Sequence, residues 1–256
     1  MTTAVIDLWR VDLDDSRWDA WERVLGEGER SNAAQFRSAL LGARWRRGRS
    51  ALRRVLAFHT GLEADCLQLV ADPFGKPALA DTPVHFNMTH TAGWALIAVA
   101  PIPLGIDLEL ARRPDIAVGE IVPLACHPDE AAILLSLPEP AANAALMRLW
   151  TQKEAYVKAL GTGLQHDLTA VRIAADGRPE RSVASDAHAG AARRYFIHEV
   201  DAPPGCVASL CADSRKLILY YREASVLLHA PGRSEQAYSA GQQDRIDKVA
   251  GTQGTT

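Results

Sequence analysis

Paired cysteines are missing from this chain: Cys66, Cys126, Cys206 and Cys211 are its four, and no two stand at CxxC spacing. That gives no zinc signature and no disulfide framework, so they are expected to pack as reduced, small apolar side chains. Long hydrophobic runs are absent as well, and no stretch approaches the about 20 apolar residues of a membrane span. The opening MTTAVIDLWRVDLDD lacks a basic region followed by an apolar core and a cleavage site, so no secretory signal is read there. Nor is there an excess of charge. A formal net charge of −3 gives no bulk attraction to nucleic acid or to an anionic membrane. What remains is the composition of an ordinary soluble protein. Its 256 residues, 48% hydrophobic and 23% charged, can bury a sizeable core in one large or two small domains.

Against this background two separated strings carry the chemistry. Gly105-Ile106-Asp107-Leu108-Glu109 follows the apolar Trp94 to Ala100 run and reads as a strand, with Ile106 and Leu108 on one face and Asp107 and Glu109 on the other. Two carboxylates on one face resist joint ionisation unless a cation compensates them, and hard oxygen ligands suit magnesium or manganese. A solvated edge strand accounts for the same pair. The second string, Trp150-Thr151-Gln152-Lys153-Glu154-Ala155-Tyr156-Val157-Lys158, reads as a helix ending at Gly161 and Gly163. At 100° per residue, Trp150, Lys153, Glu154 and Lys158 fall within an arc of roughly 140°. A surface helix with one Glu-to-Lys pair, worth only a few tenths of a kcal/mol, is the plain alternative.

Two further stretches offer phosphate-binding groups. Gly75-Lys76-Pro77 is a turn before an extended piece, and Phe86-Asn87-Met88-Thr89-His90-Thr91 puts a hydroxyl and an imidazole at a strand-to-loop junction. Arg44, Arg46, Arg47, Arg49, Arg53 and Arg54 form a basic stripe on a helix, either solvated or aimed at anions.

In this order and spacing, the four motifs GKP, FNMTHT, GIDLE and WTQKEAYVKALGTGL resemble the 4′-phosphopantetheinyl transferases of the broad-specificity, surfactin-synthetase-activating type. The resemblance runs over roughly residues 1 to 222 and is strongest from Lys76 to Leu164. It implies transfer of the phosphopantetheine arm of coenzyme A to a serine of an apo acyl or peptidyl carrier protein, with release of adenosine 3′,5′-bisphosphate. By the same resemblance Asp107, Glu109 and Glu154 hold magnesium, with manganese as the alternative, and Glu154 is the base, directly or through a water. Lys158 neutralises the attacked phosphate, Lys153 and Trp150 neighbour the phosphate and pantetheine, and Lys76, Thr89 and His90 hold the coenzyme's phosphates. Arg49 meets the nucleotide end. The chain departs from the family where Thr89 replaces the common serine. It departs again at Glu27-Gly28-Glu29-Arg30-Ser31-Asn32, where some relatives carry lysines and only Arg30 could substitute.

The fold implied is α+β, a pseudo-dimer of two similar α/β halves with the active site in the cleft between them. The halves are read as residues 1–104 and 105–229, the boundary falling where Pro-Ile-Pro interrupts the pattern near Pro101 to Leu104, and residues 230–256 as a mobile polar tail. Strands are expected near Val5 to Trp9, Leu67 to Val70, Val84 to Met88 and Trp94 to Ala100. More follow near Leu168 to Ile173, Tyr195 to Val200, Gly205 to Ala212 and Lys216 to Tyr221. Helices are expected from Trp18 to His59 and from Ile116 to Leu160. A cytoplasmic monomer is expected, with neither nucleic acid nor membrane as partner. Two other classes stay open on the residues alone: a metal-dependent nuclease or phosphodiesterase, and a binding module without turnover.

Overall fold

The computed structural model of the protein describes residues 3–162, 167–174, 179–181 and 195–229. Gly163, Leu164 and the tail from residue 230 lie outside the described residues. The chain forms two compact units: one runs to Ser16 and resumes over Gln68–Glu223, and the other is Arg17–Leu67 with the segment from Ala224.

The first unit is α+β. Strands β1 (Ala4–Asp12), β2 (Leu69–Ala71), β3 (Pro77–Leu79), β4 (His85–Thr91), β5 (Trp94–Ala100) and β6 (Leu104–Leu110) come first; β7 (Val171–Ile173), β8 (Pro179–Arg181), β9 (Phe196–Val200), β10 (Cys206–Ala212) and β11 (Leu217–Glu223) complete it. One sheet has the order β11-β1-β5-β4 and another β6-β10-β9, while β2 pairs with β3 and β7 with β8. The long-range closure is a parallel pairing of β1 with β11, from Ala4 opposite Leu217 to Arg10 opposite Glu223. Asp7 and Arg222 also meet side by side there as an ion pair.

Alternation sorts the side chains as the strand period requires. Ile6, Leu8, Leu96 and Ala98 share one apolar core with Ile106, Leu108, Ala208 and Leu210, so both larger sheets bury the same cluster. Asp107 and Glu109 therefore lie on the opposite face of β6, where their register partners on β10 are Ser209 and Val207. Helix α5 (Glu139–Leu160) covers that second face, packing Ala155, Tyr156 and Ala159 against Ile197 and Cys211. It ends at Gly161, whose left-handed φ of 74° suits a residue without Cβ. Helices α3 (Val118–Ala125) and α4 (Pro128–Ser136) bury Val122, Ala125 and Leu134 against Leu146 of α5.

Strand β4 runs through Thr91 before turning at Ala92, where φ is 49°. Thr89 and His90 thus sit inside a strand rather than at its junction with a loop, and Thr89 is buried. The extra length comes from pairing with β5, which carries Thr91 opposite Trp94.

The second unit is helical: a 3-10 segment Ser16–Val24 leads into α1 (Glu27–Ala33) and α2 (Ala39–Thr60). Ser38 caps α2 by accepting the Leu41 N–H at 3.3 Å, and Gly61 closes it with φ 70°. Five of its six arginines bond acids or carbonyls. Arg46 bonds Glu22 at 2.7 Å, Arg47 bonds Asp19 at 2.6 Å, and Arg54 bonds the Leu227 carbonyl at 2.9 Å. That last contact docks the 3-10 turn Ala224–Leu228, in which Ala224 and Leu227 are buried.

Candidate active site

Strands β4 and β6 are edges of different sheets, and side chains of β4 join them where a ladder would. Asn87 Oδ1 accepts the Ile106 N–H at 2.8 Å, and Thr89 Oγ1 accepts the Leu108 N–H at 3.2 Å. The two amides belong to residues that point into the core, so Asp107 between them faces the other way. Thr89 then gives its own hydroxyl proton to Asp107 Oδ1 at 3.1 Å. Lys158, reaching from the last turns of α5, donates to the same oxygen at 2.5 Å and stands 3.5 Å from Thr89 Oγ1. The i, i+2, i+4 series on β4 continues with Thr91, which favours the ionised form of the Glu109 carboxylate.

Three carboxylates share this corner. Burial raises Glu109 above its ordinary 4.5, the Asp107 charge adds to the shift, and Arg113, Lys158 and Thr91 oppose it. Burial likewise raises Glu154; Lys158 counters this, while Asp107 and Glu109 push the same way as burial. His90 keeps an exposed side chain but is crowded enough that burial lowers its imidazole, with Lys158 adding to the effect and Asp107 resisting. Asp107 is only 4% exposed, and its second oxygen, Oδ2, is buried with no hydrogen-bond partner among the described residues. A buried carboxylate oxygen without a donor is costly.

Among the described residues no three His, Cys, Asp or Glu side chains are already drawn up as a complete set of metal ligands. The donor set nevertheless fits a hard dication. Asp107 offers a buried oxygen with no other partner among the described residues, and the burial and acidic neighbours that raise Glu109 and Glu154 are a cost that a cation relieves.

Two of the residues read from the helix go elsewhere. Lys153 is 1% exposed and turns into the interior, where its ammonium donates to Glu130 Oε2 at 2.7 Å, Leu168 O at 2.9 Å and Val171 O at 2.8 Å. All three of its N–H groups are thereby used. Trp150 packs on the apolar cluster of α3 and α4. Lys153 and Lys158 stand at opposite edges of the 140° arc set by about 100° per residue, so one edge can enter the core while the other meets β6. Lys76 donates to the carbonyls of Leu104 at 3.0 Å and Lys158 at 2.6 Å.

In the helical unit Arg49 is bound to Glu29 at 2.7 Å and lies over the Trp45 ring at 5.9 Å. Glu29 also takes Arg53 at 2.6 Å and the Gly26 N–H at 2.9 Å, and burial, though it raises the pKa, is outweighed by these donors, which hold the group below 4.5. Arg30 bonds the Leu25 carbonyl.

Other positioning residues carried no signal in the sequence. Gly105 lets the α5 backbone lie directly on β6. Thr151 and Ser209 hydroxyls meet at 3.0 Å, tying α5 to β10 beside Asp107. Asn143 accepts the Arg113 N–H and donates back to the Arg113 carbonyl, at 2.9 and 2.8 Å, fixing the segment after β6. Of these, Gly105 and Thr151 stood inside recognised strings, and Ser209 and Asn143 did not.

No described helix is long and apolar enough to cross a membrane, and the four cysteines are unpaired. The 4′-phosphopantetheinyl transferase superfamily has a sequence model that matches residues 103–211, the stretch holding β6 and α5. Curated relatives bear the same name. The 4′-phosphopantetheinyl transferase psf-1 of Bacillus pumilus is 31% identical over 153 residues, 59% of this chain and 64% of that protein. HetI of a Nostoc species is 32% identical over 166 residues, 62% of this chain and 70% of that protein. Sfp of Bacillus subtilis is 27% identical over 164 residues, 63% and 70% respectively. With the acids of β6 and the Glu154–Lys158 pair of α5 lying in the matched stretch, the chain belongs to the 4′-phosphopantetheinyl transferase superfamily and is an enzyme of that type.

Proposed function

We propose that the protein transfers the 4′-phosphopantetheine arm of coenzyme A to a serine hydroxyl of an apo acyl or peptidyl carrier protein, releasing adenosine 3′,5′-bisphosphate. The observation that carries this reading is the convergence of Asp107, Glu109, Glu154 and Lys158, with Asp107 Oδ2 buried and unpartnered among the described residues. Asp107, Glu109 and Glu154 would hold magnesium, manganese being the alternative, and the ion supplies charge neutralisation for the coenzyme's phosphates.

The residues around it divide the remaining work. Phosphoryl transfer asks a protein for position and charge compensation more than for covalent chemistry. Lys158, oriented by Asp107, brings a cation to the attacked phosphate. His90 holds the neighbouring phosphate oxygens, joined by Thr89 when its hydroxyl proton turns from Asp107 to the ligand, and Arg49 takes the nucleotide end. Glu154, made more basic by burial and by its acidic neighbours, accepts the serine proton itself or through one water. The serine oxygen forms a bond to phosphorus as the bond to the bisphosphate oxygen breaks.

The wider architecture goes with this reading. Two similar halves, 1–104 and 105–229, would form a pseudo-dimer with its site in their cleft, and the Asn87 and Thr89 bonds from β4 to the amides of β6 support that arrangement. The enzyme is read as a cytoplasmic monomer.

Purified protein incubated with magnesium, coenzyme A and a panel of apo carrier proteins is expected to add the phosphopantetheine mass to at least one serine. No mass gain on any carrier, or cleavage of a nucleic-acid panel instead, overturns the proposal.

A further inference from the structure

The amine of Lys76 lies where two elements of the site cross. Its backbone is fixed in the β2–β3 turn by Asp72, whose Oδ1 accepts the N–H groups of Phe74 at 2.9 Å and Lys76 at 2.8 Å, while Gly75 supplies the left-handed φ of 89°. From there Nζ donates to Leu104 O on the first residue of β6 and to Lys158 O in the last turn of α5. The last carbonyls of a helix have no intrahelical donor. In α5 they find separate partners: Val157 O takes the Gly161 N–H at 3.0 Å, Lys158 O takes Lys76, and Ala159 O takes the Tyr195 hydroxyl at 3.5 Å. A cation at a helix C-terminus also suits the negative end of the helix dipole. The two carbonyls flank the point where α5 rests on Gly105, since a Cβ at Gly105 would lie 2.8 Å from the Lys158 carbonyl carbon.

We propose that Lys76 is a positioning residue that clamps the β6/α5 crossing, holding Asp107 and the Lys158 side chain in register, rather than a ligand of the coenzyme's phosphates. The inference rests on the transferase reading only for its kinetic arm. Burial holds the Lys76 amine down to about 8, against the pull of Asp72, so any access to it would make it a reactive amine.

That gives a test on the wild-type chain. Reductive methylation followed by peptide mapping is expected to modify exposed Lys216 freely and Lys76 about tenfold more slowly or not at all, with or without coenzyme A. Rapid methylation of Lys76 that coenzyme A blocks overturns the clamp. In Lys76→Met, amide exchange of residues 105–108 and of the last turn of α5 is expected to quicken by about tenfold or more, with other segments unchanged. The kinetic signature is a fall in kcat of about tenfold or more, with KM for coenzyme A moving by less than about threefold, and recovery in Lys76→Arg. A KM raised about tenfold with kcat and exchange unchanged assigns Lys76 to the phosphates and sinks the proposal. Methylation and exchange decide the matter even where no carrier is turned over, and methylation decides it where Lys76→Met does not fold.

Discussion

Gly105 lies so close beneath α5 that a Cβ in its place would stand 2.2 Å from the Ala155 carbonyl oxygen and 2.3 Å from the Ala159 amide nitrogen. Both obstacles are backbone, so no rotamer change can make room. Asp107 is two residues along the same face of β6, and Lys158 lies within the stretch of α5 that would have to lift. Gly105→Ala is therefore expected to cost about 3 kcal/mol, the upper range of overpacking. That corresponds to a melting temperature lower by roughly 6–12 °C. Transfer should fall by about 100-fold even where the protein stays folded, because the Asp107–Lys158 contact is displaced by an ångström or more. Thermal unfolding and carrier mass assay on the same preparation check both.

Asn87 stands in for a strand neighbour. Its Oδ1 is the acceptor for Ile106 N–H, and the residue is 8% exposed. Asn87→Leu keeps the volume and removes the acceptor, leaving a buried amide unpaired at about 1–3 kcal/mol. Asn87→Thr should lose less than half as much, since Thr89 already satisfies Leu108 N–H from the equivalent position two residues on. Denaturant melts of the pair measure the difference, and equal losses would mean that the hydrogen bond is not what β4 contributes.

How far these relationships could be read in advance depends on their range along the chain. The face partition of β6 was legible because strand alternation is local, and Trp94 to Ala100 emerged as β5 with both ends correct for the same reason. The 140° arc on α5 gathered Lys153, Glu154 and Lys158 on one face but could not say which edge turns inward. That is settled by Glu130 and two carbonyls at residues 168 and 171, none of which the helix itself reveals. The basic stripe of α2 looked free for anions because its acids, Asp19, Glu22 and Glu29, lie 20 to 28 residues upstream. Gly105 read as a strand start because nothing in a sequence announces the close approach of a distant backbone.

Glu154 makes the apo fold sensitive to pH in a defined direction. Burial holds its pKa above 4.5, with Lys158 opposing and Asp107 and Glu109 reinforcing the shift. A carboxyl raised in the folded state favours folding while protonated, and that contribution is lost as pH climbs through the raised value. Glu154→Gln should accordingly melt above wild type at pH 7–8 without divalent ions, the gap closing as pH falls to about 4.5 and below. Adding magnesium should reverse the order near neutrality, because only wild type regains stability by binding. Melting curves across pH, with and without magnesium, test both statements. A wild type that melts higher than Glu154→Gln at every pH without metal would contradict the first.

Lys153 provides the sharpest contrast between a structural and a phosphate-binding lysine. At 1% exposure its ammonium bonds Glu130 at 2.7 Å and two backbone carbonyls, while Glu130 also accepts the N–H groups of His127 and Ile173, each at 2.8 Å. Lys153→Met removes the cation from beneath a largely buried carboxylate and strips two carbonyls of their donor. Breaking one side of such a pair costs about 3–5 kcal/mol, so the melting temperature should drop by roughly 10 °C. Pairing the change with Glu130→Gln should recover part of the loss, giving a coupling above about 1 kcal/mol in the double-mutant cycle. Kinetics at a temperature where the variant is folded should then show KM for coenzyme A within about threefold of wild type. A lysine that works on the phosphates would behave in the opposite way, melting near wild type and raising KM, because its partner would be the ligand and not Glu130.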